Sequence, residues 1–258
     1  MHDLPIARRD LIAQRLAAGQ PAIAATLALE FGVSEDAIRR DLRALAAEGR
    51  CRRVYGGALP LSPASTPIGT RIDQARERKD ALARAAAALV EPGEFIFLDN
   101  GSTNLALVQF LPREHKLTVA TNSIAIAAEV LKRPELQLIM LGGLVDPHIG
   151  GCVDANAVAR LAEMNIDRCF IGACAVSAAG GVCAFDLADA SFKRALWSAG
   201  QHKVVLATTE KLGTRAPHRI AAIRDIDQFV LESDAPAAEI EALVQAGAAV
   251  IQAATPLP

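Results

Sequence analysis

Phe31-Gly32-Val33-Ser34-Glu35-Asp36-Ala37-Ile38-Arg39-Arg40-Asp41-Leu42 reads as a tight turn between two helices, the second of them bearing arginines. Gly32 supplies the positive φ that ends one helix, Val33 plugs the angle between the two, and Ser34 can cap the next. With Ile38, Leu42 and Leu45 turned toward a small core at helical spacing, Arg39, Arg40 and Arg43 fall on flanks that stay in solvent. Upstream, Ile12 and Leu16 on a helix opening near Ala7, then Ile23 and Leu27 on a short second helix, supply the apolar partners of a three-helix unit. Downstream, Gly49-Arg50-Cys51-Arg52-Arg53-Val54-Tyr55-Gly56-Gly57 is a short arginine-rich extended segment closed by two glycines, as a β-wing is written. A winged helix-turn-helix over residues 1–58 is expected.

Helix-turn-helix geometry alone also occurs in proteins that bind no nucleic acid, and charged helix faces are usually just solvated. Charge placement decides between the two. From Ala37 to Tyr55, Arg39, Arg40, Arg43, Arg50, Arg52 and Arg53 face only Asp41 and Glu48, in a chain whose net charge is −2. Such a local excess neutralises phosphates, and arginine also forks onto a guanine edge. Aromatic content of 4% argues against a single-strand binder that stacks bases, so double-stranded DNA is the expected partner.

A chain of 258 residues that is 52% hydrophobic has room for one larger domain after this unit. The start lacks a basic-then-apolar leader and no apolar run is long enough to span a bilayer, so a soluble cytoplasmic protein with no membrane partner is expected. Cys51, Cys152, Cys169, Cys174 and Cys183 form an odd set without Cys-x-x-Cys or zinc-finger spacing. Free thiols, no metal and no cofactor follow. Spaced prolines from Pro60 to Pro67 mark a linker over residues 59–70, and Arg71 to Val90 reads as one helix stopped by Pro92-Gly93.

Residues 71–258 then alternate. Short apolar runs at Phe95–Leu98, Leu117–Ala120, Leu136–Leu141, Cys169–Gly172, Val204–Leu206 and Phe229–Leu231 flank helical segments near 105–111, 124–131, 157–164 and 190–199. The lengths favour buried parallel strands, hence an α/β sheet. Ligands of such sheets bind beyond the carboxyl ends of strands. Asp99-Asn100-Gly101-Ser102-Thr103-Asn104, Thr121-Asn122-Ser123 and Gly142-Gly143 stand at three successive strand ends, with hydroxyls, amides and bare backbone suited to a polar anionic ligand. Helix capping accounts for Ser102, Thr103 and Ser123 as well; the repetition at three ends favours a pocket.

Arg8, Ile12, Leu16, Ser34, Ile38-Arg39-Arg40-Asp41-Leu42 and the wing Arg53-Val54-Tyr55-Gly56-Gly57-Ala58 resemble the N-terminal domain of DeoR-type transcriptional regulators. The resemblance implies DNA contacts from Ser34, Arg39, Arg40, Arg43, Arg52, Arg53 and Tyr55. Ala37 and Tyr55 depart from it, since the family usually writes threonine and histidine there. The strand-end motifs, with Asp167, Phe170-Ile171-Gly172, Gly180-Gly181 and Lys193, resemble the sugar-phosphate sensor domain of the same family, related in fold to ribose-5-phosphate isomerase and glucosamine-6-phosphate deaminase.

That resemblance implies a phosphorylated sugar effector held by Asp99, Gly101, Ser102, Thr103, Thr121, Asn122, Ser123, Gly142, Gly143, Lys193 and Lys211. Thr208-Thr209-Glu210-Lys211-Leu212-Gly213 keeps the lysine and glycine of a family motif but loses its acid, and Glu232-Ser233-Asp234 blurs the closing Thr-Asp. The expected protein is a regulator, a repressor of carbohydrate-metabolism genes, working as a homodimer or homotetramer and not as an enzyme. The alternative is a sugar-phosphate isomerase or deaminase carrying a DNA-binding head. Asp99, Asp186 and His148 are its candidate groups by residue type only, without an acid–base pair at a recognisable spacing.

Overall fold

The computed structural model describes residues 5–17, 20, 22–48, 50–54, 56–60 and 66–255. It separates into two compact units, Met1–Ser65 and Thr66–Pro258.

In the first, α1 (Pro5–Ala17), β1 (Ala22–Ile23), α2 (Ala24–Phe31) and α3 (Glu35–Ala47) precede β2 (Cys51–Val54) and β3 (Gly57–Pro60), with sheet order β1-β3-β2. Gly32 adopts φ 63° and closes α2, while the Ser34 hydroxyl accepts from the Ala37 N–H at 3.3 Å and caps α3. Ile12, Leu16, Leu27, Ile38, Leu42 and Leu45 are fully buried together. Ile23 is not one of them: it pairs with Gly57 in β1–β3 and lies exposed, because a β-bridge to the wing claims its backbone before α2 begins.

Arg8 lies inside this unit, its Nε 2.7 Å from Asp41 Oδ2, and so ties α1 to α3. Both side chains are about nine-tenths buried, so an unpaired Asp41 would be costly. Arg8→Ala is expected to destabilise this unit by about 3 kcal/mol, read by urea denaturation.

The second unit opens with α4 (Ile68–Arg71) and α5 (Arg76–Ala87), continues through β4 (Phe95–Leu98), α6 (Ser102–Phe110), β5 (Thr118–Thr121), α7 (Ile124–Val130) and β6 (Gln137–Met140), and reaches the hairpin β7 (Val145–Asp146) and β8 (Gly151–Cys152). Then follow α8 (Ala155–Leu161), β9 (Ile166–Gly172), β10 (Ala175–Ser177), β11 (Gly181–Ala184), α9 (Leu187–Ala199), β12 (Gly200–Ala207), β13 (His218–Ala221), β14 (Gln228–Leu231), α10 (Ala237–Gln245) and β15 (Val250–Gln252). Seven strands form a parallel sheet in the order β15-β14-β12-β9-β4-β5-β6, with a core on each face.

Two boundaries differ from the sequence reading. Leu59 and Pro60 belong to β3, and Ile68–Thr70 to α4, so the connecting stretch is shorter than 59–70. The single helix expected from Arg71 to Val90 is two, broken at Ala75, whose φ is 50°. The Arg71 carbonyl accepts from the Gln74 N–H at 3.3 Å and from the Lys79 ammonium.

Candidate functional site

In the first unit the reading helix presents its arginines unequally. Arg39 is held by Glu35 at 2.8 Å and Asp36 at 3.6 Å, and Arg43 donates through Nε to the Arg39 carbonyl at 3.2 Å. Arg40 and Arg53 are exposed and, among the described residues, carry no ion pair. The Ser34 hydroxyl is engaged as the cap. The Arg52 side chain and Tyr55 lie outside the described residues.

In the second unit β4 lies between β5 and β9, so the sheet's connections run outward in both directions from that point and leave a crevice at its carboxyl end. Asp99 sits there, fully buried. Its backbone N–H donates to the Phe170 carbonyl at 3.1 Å, its Oδ2 accepts from the Gly172 N–H at 2.8 Å, and Lys193 Nζ stands 3.3 Å from the same oxygen. Lys193 also pairs with Asp189 one helical turn away, and Asn100 Nδ2 donates to Asp189 at 3.1 Å. Burial pushes the Asp99 carboxyl up to about 6, against the pull of Lys193. Burial works against the charged Lys193, but Asp189 and Asp99 outweigh it and hold the ammonium above its ordinary value. Asp99 Oδ1 has no partner among the described residues.

Gly101 leads into α6 with no side-chain cap, and the Ser102 and Thr103 hydroxyls make no hydrogen bond among the described residues. At the next strand end the Thr121 and Ser123 side chains are committed to the protein itself. Thr121 Oγ1 donates to the Leu98 carbonyl at 2.7 Å and accepts from Ser123 N–H at 3.0 Å, while Ser123 Oγ caps Ile126 at 3.5 Å. Asn122 Nδ2 donates to the Cys152 carbonyl at 3.1 Å and leaves its buried Oδ1 unpartnered. Gly142 and Gly143 are not brought to the Asp99 cluster. They line a separate groove of ≈ 710 Å³ between β6 and α8, with Arg160 and Glu163.

Three residues the strand-end reasoning passed over, Lys79, Arg71 and Arg78, complete the picture. Lys79 is buried on the same face of α5 as Leu82, Ala83 and Ala86, and burial, with Lys211 and Arg71 adding like charge, pushes its ammonium down to about 8. Burial likewise lowers Arg71 and Lys211, and the Arg71 Nε is buried without a partner. Lys79 and Ser102 line one cavity of ≈ 270 Å³. The signal for Lys79 was in the pattern: a lysine falling on the apolar stripe of an alanine-rich helix. The start of α5 is fixed by Arg78, whose Nη2 lies 2.7 Å from Glu232 and 3.1 Å from Asp234 at the end of β14.

A winged helix-turn-helix with exposed arginines, in one chain with an α/β domain bearing a buried polar crevice, defines a DNA-binding regulator with a ligand-sensing domain. Residues 8–64 match the model of the DeoR-like helix-turn-helix domain, and residues 74–233 that of the DeoR C-terminal sensor domain. The chain belongs to the DeoR family of transcriptional regulators.

Its relatives include the uncharacterized HTH-type transcriptional regulator YgbI of Escherichia coli K12, 33% identical over 94% of this chain and 95% of that one. The glycerol-3-phosphate regulon repressor of the same organism is 27% identical over 83% and 85%. Among solved structures, the probable sor operon regulator from Shigella flexneri aligns with a TM-score of 0.45 at 15% identity, over 67% of this chain and 89% of that one. Ribose 5-phosphate isomerase A from Methanocaldococcus jannaschii aligns at 0.39 and 19%, over 52% and 53%. Among the described residues no helix is long and apolar enough to cross a membrane.

Proposed function

We propose that this regulator is a cytoplasmic repressor of carbohydrate-metabolism genes that leaves its operator when a phosphorylated sugar binds the sensor domain. The observation that carries the reading is the buried, unpartnered Arg71 Nε beside Lys79, whose ammonium donates to the Arg71 carbonyl; both cations and Lys211 are lowered by burial and form no salt bridge among the described residues. A phosphate dianion satisfies Arg71 and Lys79. The free hydroxyls of Ser102 and Thr103 and the start of α6 add donors to it. Asp99 Oδ1, buried and unpartnered, then accepts from a sugar hydroxyl, with Lys193 holding the carboxylate in place.

Thr121 and Ser123 serve this site by shaping the β5 end, Asn122 keeps a buried, unpartnered Oδ1 that can accept from the ligand, and Gly142-Gly143 stands outside it. Asp99 is tethered by Lys193 and Gly172, and Lys193 is locked between two carboxylates, so the pair supports binding without turnover. Effector and DNA then oppose one another by the same factor in both directions. Two chains related by a two-fold axis present two reading helices to the half-sites of an operator, so a homodimer or homotetramer fits the proposal.

Operator affinity is expected to fall steeply with salt, and Arg40→Ala and Arg53→Ala each to lower the slope of log K against log salt by about one. Unchanged slopes in both would remove these arginines from the interface. A thermal-shift screen of phosphorylated sugars tests the sensor reading: a hit that raises Tm and is not consumed supports it, and product formation overturns it in favour of an enzyme.

A further inference from the structure

Helix α4 is only four residues long, too short to hold itself together, so its position depends on what it touches. It is seated at Ile68. The Ile68 N–H donates to the His148 carbonyl at 3.1 Å, and its side chain is buried against Gly150 in the β7–β8 hairpin. The fit there is close: Gly150 has φ +77°, and a Cβ on it would stand 2.4 Å from Ile68 Cγ2. The hairpin cannot easily retreat, because the Gly150 carbonyl accepts from Ile124 N–H at 3.2 Å at the start of α7, and the Cys152 N–H donates to Asn122 at 2.9 Å. At the other end of α4, Arg71 gives its carbonyl to Lys79 and leaves its Nε buried and unpartnered, after which the chain turns through Ala75 in the left-handed region.

We propose that Ile68, docked on Gly150, is a positioning residue for the anion site, placing Arg71 beside Lys79, and that residues 66–75 are the segment an anion orders. The inference rests on the phosphate reading above. The buried Arg71 Nε has no partner until an anion joins it, and the element that carries it is α4, held by one buried apolar side chain and no capping hydrogen bond from a side chain. Thr66 is also where the sensor unit begins. Ile68 touches no ligand in this scheme. It acts through Arg71.

The experiment is hydrogen exchange by mass spectrometry on the full-length protein, with and without inorganic phosphate, together with phosphate affinity. In the wild type, phosphate is expected to slow exchange in residues 68–79 by about tenfold or more. Gly150→Ala, which fills the seat, and Ile68→Ala, which empties it, should both lose that protection and weaken phosphate binding by about tenfold, while exchange in β4 and β9 stays at wild-type rates; Ile68→Val should restore both. If Gly150→Ala does not fold, the two Ile68 variants decide. Wild-type protection and affinity in Ile68→Ala overturn the inference and leave the phosphate site standing. A wild-type protein indifferent to phosphate overturns the phosphate site, and this inference with it.

Discussion

Lys193→Met is expected to destabilise the sensor unit by about 3–5 kcal/mol, because it strands two buried carboxylates that share one cation. For a unit of this size that is about 10 °C in Tm, readable by calorimetry. The deficit should depend on pH. Asp99 is already held at about 6, above an ordinary carboxyl, so the folded chain takes up its proton more readily than the unfolded chain does. Its contribution to stability is therefore greatest in acid and is lost as pH rises through 6. Without Lys193 the Asp99 pKa rises further, and the gap to wild type should widen from pH 5 to pH 8. Asp99→Asn in the Lys193→Met background should close part of the gap at pH 8. A pH-independent deficit would mean that packing, not charge, is what Lys193 supplies.

Lys79→Ala is expected to weaken phosphate binding by about 10- to 100-fold, the worth of one charge-assisted hydrogen bond in a desolvated site. Lys79 is held down at about 8, chiefly by burial, and only its protonated form binds an anion. Affinity in the wild type should then fall as pH rises above 8, while Lys79→Arg, charged throughout, should bind with a flatter profile. Titration calorimetry with inorganic phosphate between pH 7 and 9.5 reads both. Equal affinity for Lys79→Ala and wild type would place the anion elsewhere.

The sequence disclosed most where structure is local or where burial is two-sided. Gly32, Val33 and Ser34 act within a few residues of one another, so the turn into α3 was legible from them. The strands of the parallel sheet are hidden on both faces and therefore read as unbroken apolar runs. Where a strand begins with polar residues, as β12 does at Gln201-His202-Lys203, only pairing with β9 reveals it, and β15 is too short and open to stand out. The helix break at Ala75 carried no glycine or proline to announce it. Across the break Lys79 reaches back to the Arg71 carbonyl, a contact between side chain and backbone that the residue pattern does not announce.

The candidate site was legible only in part. Asp99 and Lys193, separated widely in sequence, meet because β4 pairs with β9 and α9, which carries Lys193, packs against β9. Gly142-Gly143 follows an equally plausible strand, but β6 is the edge of the sheet, one strand removed from the crevice. Sheet order is set by crossovers that apolar patterns do not encode.

Glu35 and Asp36 clasp Arg39 at the end of α3 through which a groove would be entered. Exposed pairs of this kind are worth at most about 1 kcal/mol, so a base edge that accepts from the guanidinium releases it at little cost. A phosphate at the same turn meets two carboxylates instead. If Arg39 meets a base edge, the first turn of α3 would discourage random stretches of duplex and admit those whose base sequence rewards Arg39, so that selectivity would come partly from repulsion.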